Sequence, residues 1–235
     1  LRDTIKKSRL EERQELEIKE KLLECKIRGD ISAKLAPYAA ALQVVLETLG
    51  DLDILIAKAM QMEEHRLVFP SISIGEVTSY KGLFHPQVES FLKERARRRG
   101  DEGVFTPIDI EFGKEPVIIT GANIGGKTVT LMMCSLAQYL FQFGFGIPSK
   151  SCNIALKEGI ALTMGDGQDI TGGYSSFAAE MLSVNEIIKS ALEGINLLAL
   201  IDEPARTTNP IEGRALVQGM LDTLSGYRIS VIVST

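Results

Sequence analysis

The sequence predicts an α/β fold, a mainly parallel sheet flanked by helices and preceded by a helical arm, on three observations. From residue 117 onward short apolar runs alternate with amphipathic stretches, as strands do when helices connect them across a parallel sheet. The first 65 residues show no such alternation and carry helical spacing instead. Between one apolar run and the stretch that follows it lies a glycine-rich segment, residues 121–128, where a strand would turn into a helix.

Composition sets the outer bounds. The chain has 235 residues, 45% of them hydrophobic and 24% charged, which is enough apolar material for a core and excludes disordered or collagen-like structure. Its length suits one large domain or a domain with an appendage. Lys and Arg number 26 against 31 Asp and Glu, a net charge of -5, so the chain is not a polycation held to nucleic acid by its mean field, and any DNA contact has to be local. Cys25, Cys134 and Cys152 are an odd number without paired spacing, which argues against a disulfide framework or a zinc site and suits a reducing cytoplasm. No run of ~20 apolar residues predicts a membrane partner. A first residue that is Leu, and a last run, Ser230–Thr235, that reads as a strand cut at its end, predict a piece of a longer protein.

Taken in order, residues 1–30 hold nine basic and eight acidic side chains interleaved with Leu10, Leu16, Leu22, Leu23 and Ile27. Pairs such as Glu15 with Lys19 and Glu17 with Lys21 stand four apart, which favours a long solvated helix with one apolar stripe. Gly29-Asp30 is expected to end it, and Gly50-Asp51 to divide the more apolar stretch up to His65 into two further helices. Residues 1–68 are thus expected to form the helical arm and residues 69–235 the α/β domain. After Pro70 come extended runs separated by a polar segment with Lys93, Arg95, Arg97, Arg98 and Arg99, a charge cluster that suits either a solvated face or phosphate contact. The α/β alternation then predicts a short buried strand at 117–120, a helix at 128–141, a helix at 177–192, a strand at 197–201, a helix at 211–224 and a last strand at 229–234.

Gly121-Ala122-Asn123-Ile124-Gly125-Gly126-Lys127-Thr128 fits the pattern G-x-x-x-x-G-K-[ST]. Chemistry requires those residue types: glycines let backbone N–H groups curl around a phosphate chain, the helix start adds positive potential, Lys127 reaches the β and γ phosphates, and the Thr128 hydroxyl binds Mg²⁺. About 75 residues on, the apolar run Leu197–Ile201 ends in Asp202 and Glu203. Asp202 is the candidate to hold Mg²⁺ and Glu203 to polarise the attacking water, the division of labour that phosphoryl transfer needs. His65 and His85 are too isolated for a metal site or a triad, while Cys134 and the Met132-Met133 pair are expected to pack in the interior.

In combination these segments resemble the ATPase domain of the MutS family, a branch of the ABC ATPases. Leu52–Ala59 looks like the helical segment that precedes that domain, and Phe84-His85-Pro86 like the family's His-Pro element. Phe105–Ile110 is similar to the stretch whose aromatic residue stacks on adenine, a role the resemblance gives to Phe105. Val129-Thr130-Leu131 after the P-loop is closest to the recombination-suppressing paralogues. Gly173–Met181 looks like the signature segment that reaches across a dimer to the γ phosphate, which assigns Ser175 and Ser176 to a nucleotide on the partner. The resemblance covers roughly residues 50–235. It implies a P-loop NTPase of the ABC type, Mg-ATP hydrolysis, a homodimer or a dimer with a related chain, and control of a DNA clamp in mismatch repair or recombination through regions outside these residues. Pro204–Pro210 departs from the family's glycine-rich loop after the catalytic acid, Ala122 stands where Pro is common, and the family's γ-phosphate-sensing His would fall after Thr235. With the acidic balance, the altered loop also supports an alternative, an ATPase of this type that remodels a protein partner without binding DNA.

Overall fold

The computed structural model describes residues 2–100, 104–122, 126–164, 176–206 and 209–235. One compact unit comprises Leu1–Ala57 and a second Lys58–Thr235.

In the first unit helix α1 (Arg2–Leu35) runs into a single 3₁₀ turn (Ala36–Tyr38), after which α2 (Ala39–His65) begins. Neither Gly29-Asp30 nor Gly50-Asp51 breaks a helix, contrary to expectation. One glycine costs only ~1 kcal/mol among good helix formers, whereas Pro37 removes a donor and crowds the preceding turn, so the interruption falls there. Arg13 pairs with Glu17 at 2.8 Å and Arg28 with Glu24 at 3.4 Å on the exposed helix surface. Pairs of that kind support a helix only slightly.

The second unit contains two four-stranded sheets. The first is built from β1 (Ser71–Ile72), β2 (Thr78–Leu83), β3 (Ile108–Phe112) and β5 (Ser151–Ile154), in the order β1-β5-β2-β3, and is antiparallel except for the β1–β5 pair. The second holds β4 (Val117–Ile119), β6 (Gly159–Thr163), β7 (Leu197–Asp202) and β8 (Ser230–Ser234), in the order β4-β8-β7-β6, and is wholly parallel. The α/β class with a helix-flanked parallel sheet therefore holds. The antiparallel sheet is an addition, and the two short strands β5 and β6 have too little alternation to be predicted.

Helices α4 (Lys127–Gln142), α5 (Ser176–Leu192) and α6 (Pro210–Leu224) cover the parallel sheet. Side chains alternate across a strand, so Leu198, Leu200 and Ile232 face a core made with Leu131, Met133, Cys134 and Ala137 of α4 and with Tyr80, Leu83 and Phe112 of the first sheet. Leu197, Ala199, Ile201, Val231 and Val233 face the other way, onto Val184 and Ile187 of α5 and Met220 and Leu224 of α6. Burial on both faces explains why β7 and β8 read as continuous apolar runs. Strand β4 was expected to be buried, yet Ile118 is exposed, because β4 is an edge strand of its sheet.

The basic segment, which the sequence marks only as polar, lies on a regular helix: Lys93–Arg99 belongs to α3 (Pro86–Arg99). His85 caps it, its Nδ1 accepting from the Val88 N–H at 3.5 Å, and partial burial lowers the His85 pKa, favouring the neutral imidazole that can accept. Pro86 occupies the first turn, and Gly100, at φ +72°, closes the helix in the left-handed region. Among the described residues no helix is long and apolar enough to cross a membrane.

Candidate active site at the carboxyl ends of the parallel strands

Parallel pairing places the ends of β4, β7 and β8 side by side: Ile119 is in register with Ser234, and Ser234 with Asp202. Whatever follows those strands converges on one edge, the location where open α/β sheets gather their binding groups. Gly121 follows β4, Gly126 and Lys127 open α4, and Glu203 follows β7.

Gly126 is the N-cap of α4 with φ +82°. The space around it would admit a Cβ, so the requirement for glycine at this position is conformational rather than steric. The turn delivers Lys127 inward, where it is buried. Its ammonium donates to Gly121 O at 2.9 Å and Thr235 O at 2.7 Å and lies 3.5 Å from Glu203 Oε1. One residue on, the Thr128 hydroxyl donates to Asp202 Oδ2 at 2.7 Å. Four side chains from two distant segments thus meet at one place.

Both carboxylates are engaged through each oxygen. The Ser234 hydroxyl donates to Asp202 Oδ1, and the Glu203 N–H donates to Ser234 Oγ at 3.0 Å. Arg206 reaches Glu203 Oε2 at 3.1 Å. Glu203 itself has φ +44° and Ala205 φ +60°, two non-glycine residues in the left-handed region within one turn, and the Ala205 N–H donates to Glu180 Oε1 on α5 at 2.6 Å.

Of the predicted site residues, then, Lys127, Thr128, Asp202 and Glu203 come together, with Gly121 and Gly126 beside them. Phe105 is half-buried and packs against the first core. Ser176 is the first residue of α5, and Asn123, Gly125 and Ser175 lie outside the described residues. Sequence reasoning missed Ser234, Arg206 and Glu180. For Ser234 the available signal was register: a hydroxyl at the end of the last apolar strand is laterally opposite the acid that ends its neighbour. Glu180 carries no such signal, because its partner is a backbone N–H.

A hydroxyl and a carboxylate oxygen 2.7 Å apart are hard donors suited to Mg²⁺. Among the described residues there is no group of three or more His, Cys, Asp and Glu able to hold a metal. A small cation held here would draw its remaining ligands from water and phosphate, as Mg²⁺ ordinarily does.

Fold and site together define a class, an α/β domain that gathers an ammonium, a hydroxyl and two carboxylates at the carboxyl edge of a parallel sheet. The model of MutS domain V matches residues 117–235, and this chain belongs to the MutS family. It is 34% identical over 223 residues to an Endonuclease MutS2 of Carboxydothermus hydrogenoformans, covering 94% of this chain and 27% of that protein. An Endonuclease MutS2 of Fusobacterium nucleatum is 33% identical over 224 residues, with 94% and 27% covered. A DNA mismatch repair protein MutS of Shouchella clausii is 29% identical over 209 residues, with 88% and 23% covered. The chain spans about a quarter of the length of these relatives.

Proposed function

We propose that this chain is the part of a MutS-like protein that binds and hydrolyses Mg-ATP, with a P-loop NTPase domain of the ABC type over residues 69–235 and a helical arm over residues 1–68. The observation that carries this reading is the meeting of Lys127 and Thr128 with Asp202 and Glu203, above all the 2.7 Å bond from Thr128 to Asp202.

Gly121, Asn123, Gly125 and Gly126 wrap the phosphate chain with backbone N–H groups. Lys127 exchanges its carbonyl partners for the β and γ phosphates, and Phe105 offers a ring for the adenine. Thr128 and Asp202 hold Mg²⁺, which when bound offsets the charge of the phosphates. Glu203 accepts the proton of the attacking water as its oxygen bonds to the γ phosphorus, and the bond from that phosphorus to the β–γ bridging oxygen breaks with its electron pair passing to ADP. Ser175 and Ser176 of a second copy or a related chain complete the site at the γ phosphate, as the family resemblance implies. The coupled output is control of a DNA clamp through regions outside these residues.

Steady-state hydrolysis by the intact protein tests the assignment. Glu203→Gln should leave ATP binding in place and lower turnover by orders of magnitude, while Lys127→Ala should weaken binding itself. Normal turnover in the first variant would sink the role of Glu203.

A second reading, remodelling of a protein partner without DNA, draws support from the net charge of -5 and from the helix α3 cluster, where Lys93 pairs with Glu89 and Arg98 with Glu94. DNA that alters hydrolysis in a steeply salt-dependent way favours the clamp, because phosphate contacts release counterions. Hydrolysis indifferent to DNA favours the protein partner.

A further inference from the structure

The turn after β7 is held in a conformation its own residues do not favour. Glu203 at φ +44° and Ala205 at φ +60° both occupy the left-handed region, where a Cβ crowds the backbone and glycine is the residue at ease. Such a turn persists only when neighbours hold it. One hold comes from β8, through Ser234 to the Glu203 N–H. The other comes from α5, where Glu180 Oε1 accepts from the Ala205 N–H at 2.6 Å, a charge-assisted bond to a residue that is itself buried. Between these two anchors the Glu203 side chain is set with Oε1 toward Lys127 and Oε2 on Arg206.

We infer that Glu180 is a positioning residue for the hydrolytic reaction: its carboxylate, acting through the Ala205 N–H, fixes the left-handed turn that aims Glu203 at the site of Lys127 and Thr128. The inference rests on the assignment of Glu203 proposed above. Glu180 bonds the Ala205 N–H of the turn, and its role is confined to where the Glu203 carboxylate stands. Losing it should therefore lower the rate of the chemical step and leave ATP affinity alone. Because Glu180 sits on the helix that Ser176 begins, the same contact ties the turn to the start of α5.

The experiment compares Glu180→Ala, Glu180→Gln, and Glu180→Ala combined with Ala205→Gly in the intact protein, reading kcat and KM for ATP together with the affinity for a fluorescent ATP analogue. Glu180→Ala should lower kcat by about tenfold or more at unchanged analogue affinity. Glu180→Gln, whose amide oxygen still accepts, should recover most of the loss. Ala205→Gly should restore turnover to the Glu180→Ala protein, since glycine adopts φ +60° without a staple. An unchanged kcat in Glu180→Ala, or a loss that neither Gln nor the second-site glycine reverses, overturns the inference. Glu203→Gln is measured alongside: if it hydrolyses ATP normally, the assignment of Glu203 as the catalytic base has failed, whereas a dead Glu203→Gln with a normal Glu180→Ala condemns the positioning role alone.

Discussion

Thr128 and Asp202, 74 residues apart in the chain, are joined by one hydrogen bond of 2.7 Å between hydroxyl and carboxylate. It links the first turn of α4 to the last residue of β7, so a cation drawn to the acid also meets the hydroxyl. Thr128→Ser keeps the oxygen and should keep the Mg²⁺ dependence of ATP binding. Thr128→Val keeps the shape and loses the oxygen. Its affinity for Mg-ATP should fall roughly 10- to 100-fold, the scale of one lost hydrogen bond to a charged group. Its affinity for ATP in EDTA should hardly change. Titration of a fluorescent nucleotide with and without Mg²⁺ makes the comparison, and a Val variant with full Mg²⁺ dependence would remove Thr128 from the metal site.

Ser234 has no catalytic atom in this scheme, yet it is fully buried and joins both acids, donating to Asp202 Oδ1 and accepting from the Glu203 N–H. Ser234→Ala leaves the Asp202 oxygen one donor short. The Glu203 N–H still reaches Ser234 O at 3.2 Å, so the damage falls on the carboxylate. A loss of ~1–3 kcal/mol in unfolding free energy is expected, measured by urea denaturation of the intact protein. An unchanged midpoint would mean that water replaces the hydroxyl without cost.

Much of this was legible in the sequence, and the parts that were not have physical reasons. Lys127, Thr128, Asp202 and Glu203 could be read because each element around them has a strong local signature: a glycine turn with its own φ demand, and strands so fully buried that every residue is apolar. The antiparallel sheet was obscure because β1 has two residues and β5 four, too short to show alternation. Helix α3 was hidden by its charge, since seven of its fourteen residues are Glu, Lys or Arg and periodicity of apolar positions is the usual guide. In the N-terminal helices glycine and proline both signal a break, but only proline lacks the backbone donor, so the chain is interrupted at Pro37 and continues helical through Gly29 and Gly50. The bond from the Ala205 N–H to Glu180 was out of reach altogether, because it joins a side chain to a backbone group across a loop.

Strand β7 gives a contrast in burial that can be tested directly. Leu200 is fully buried between the two sheets and α4, whereas Ile118 on edge strand β4 is about half exposed. Leu200→Ala should cost ~2–5 kcal/mol, the removed methylenes plus the cavity they leave. Ile118→Ala should cost far less, since much of that side chain already meets solvent. Equal losses in denaturant unfolding would contradict the placement of the core on β7.

Far from these acids, Lys157 carries a pH dependence whose sign is fixed by its surroundings. Its ammonium is buried and donates to Asn196 Oδ1 at 3.0 Å and Ser230 Oγ at 2.8 Å. Burial first, and the positive charge of Arg228 second, lower its pKa from 10.5 to about 8. Between those two values the unfolded chain binds more protons than the folded one, so this group makes stability rise with pH. Below about pH 8 the ammonium is charged in both states and its full cost is present; through the interval above, that cost is progressively relieved. Lys157→Gln cannot titrate. The difference in Tm between wild type and Lys157→Gln should therefore shift in favour of the wild type between pH 7.5 and 10, whatever its value at neutral pH. A difference that stays flat over that range would mean the amine titrates alike in the folded and unfolded chains, and that water reaches it.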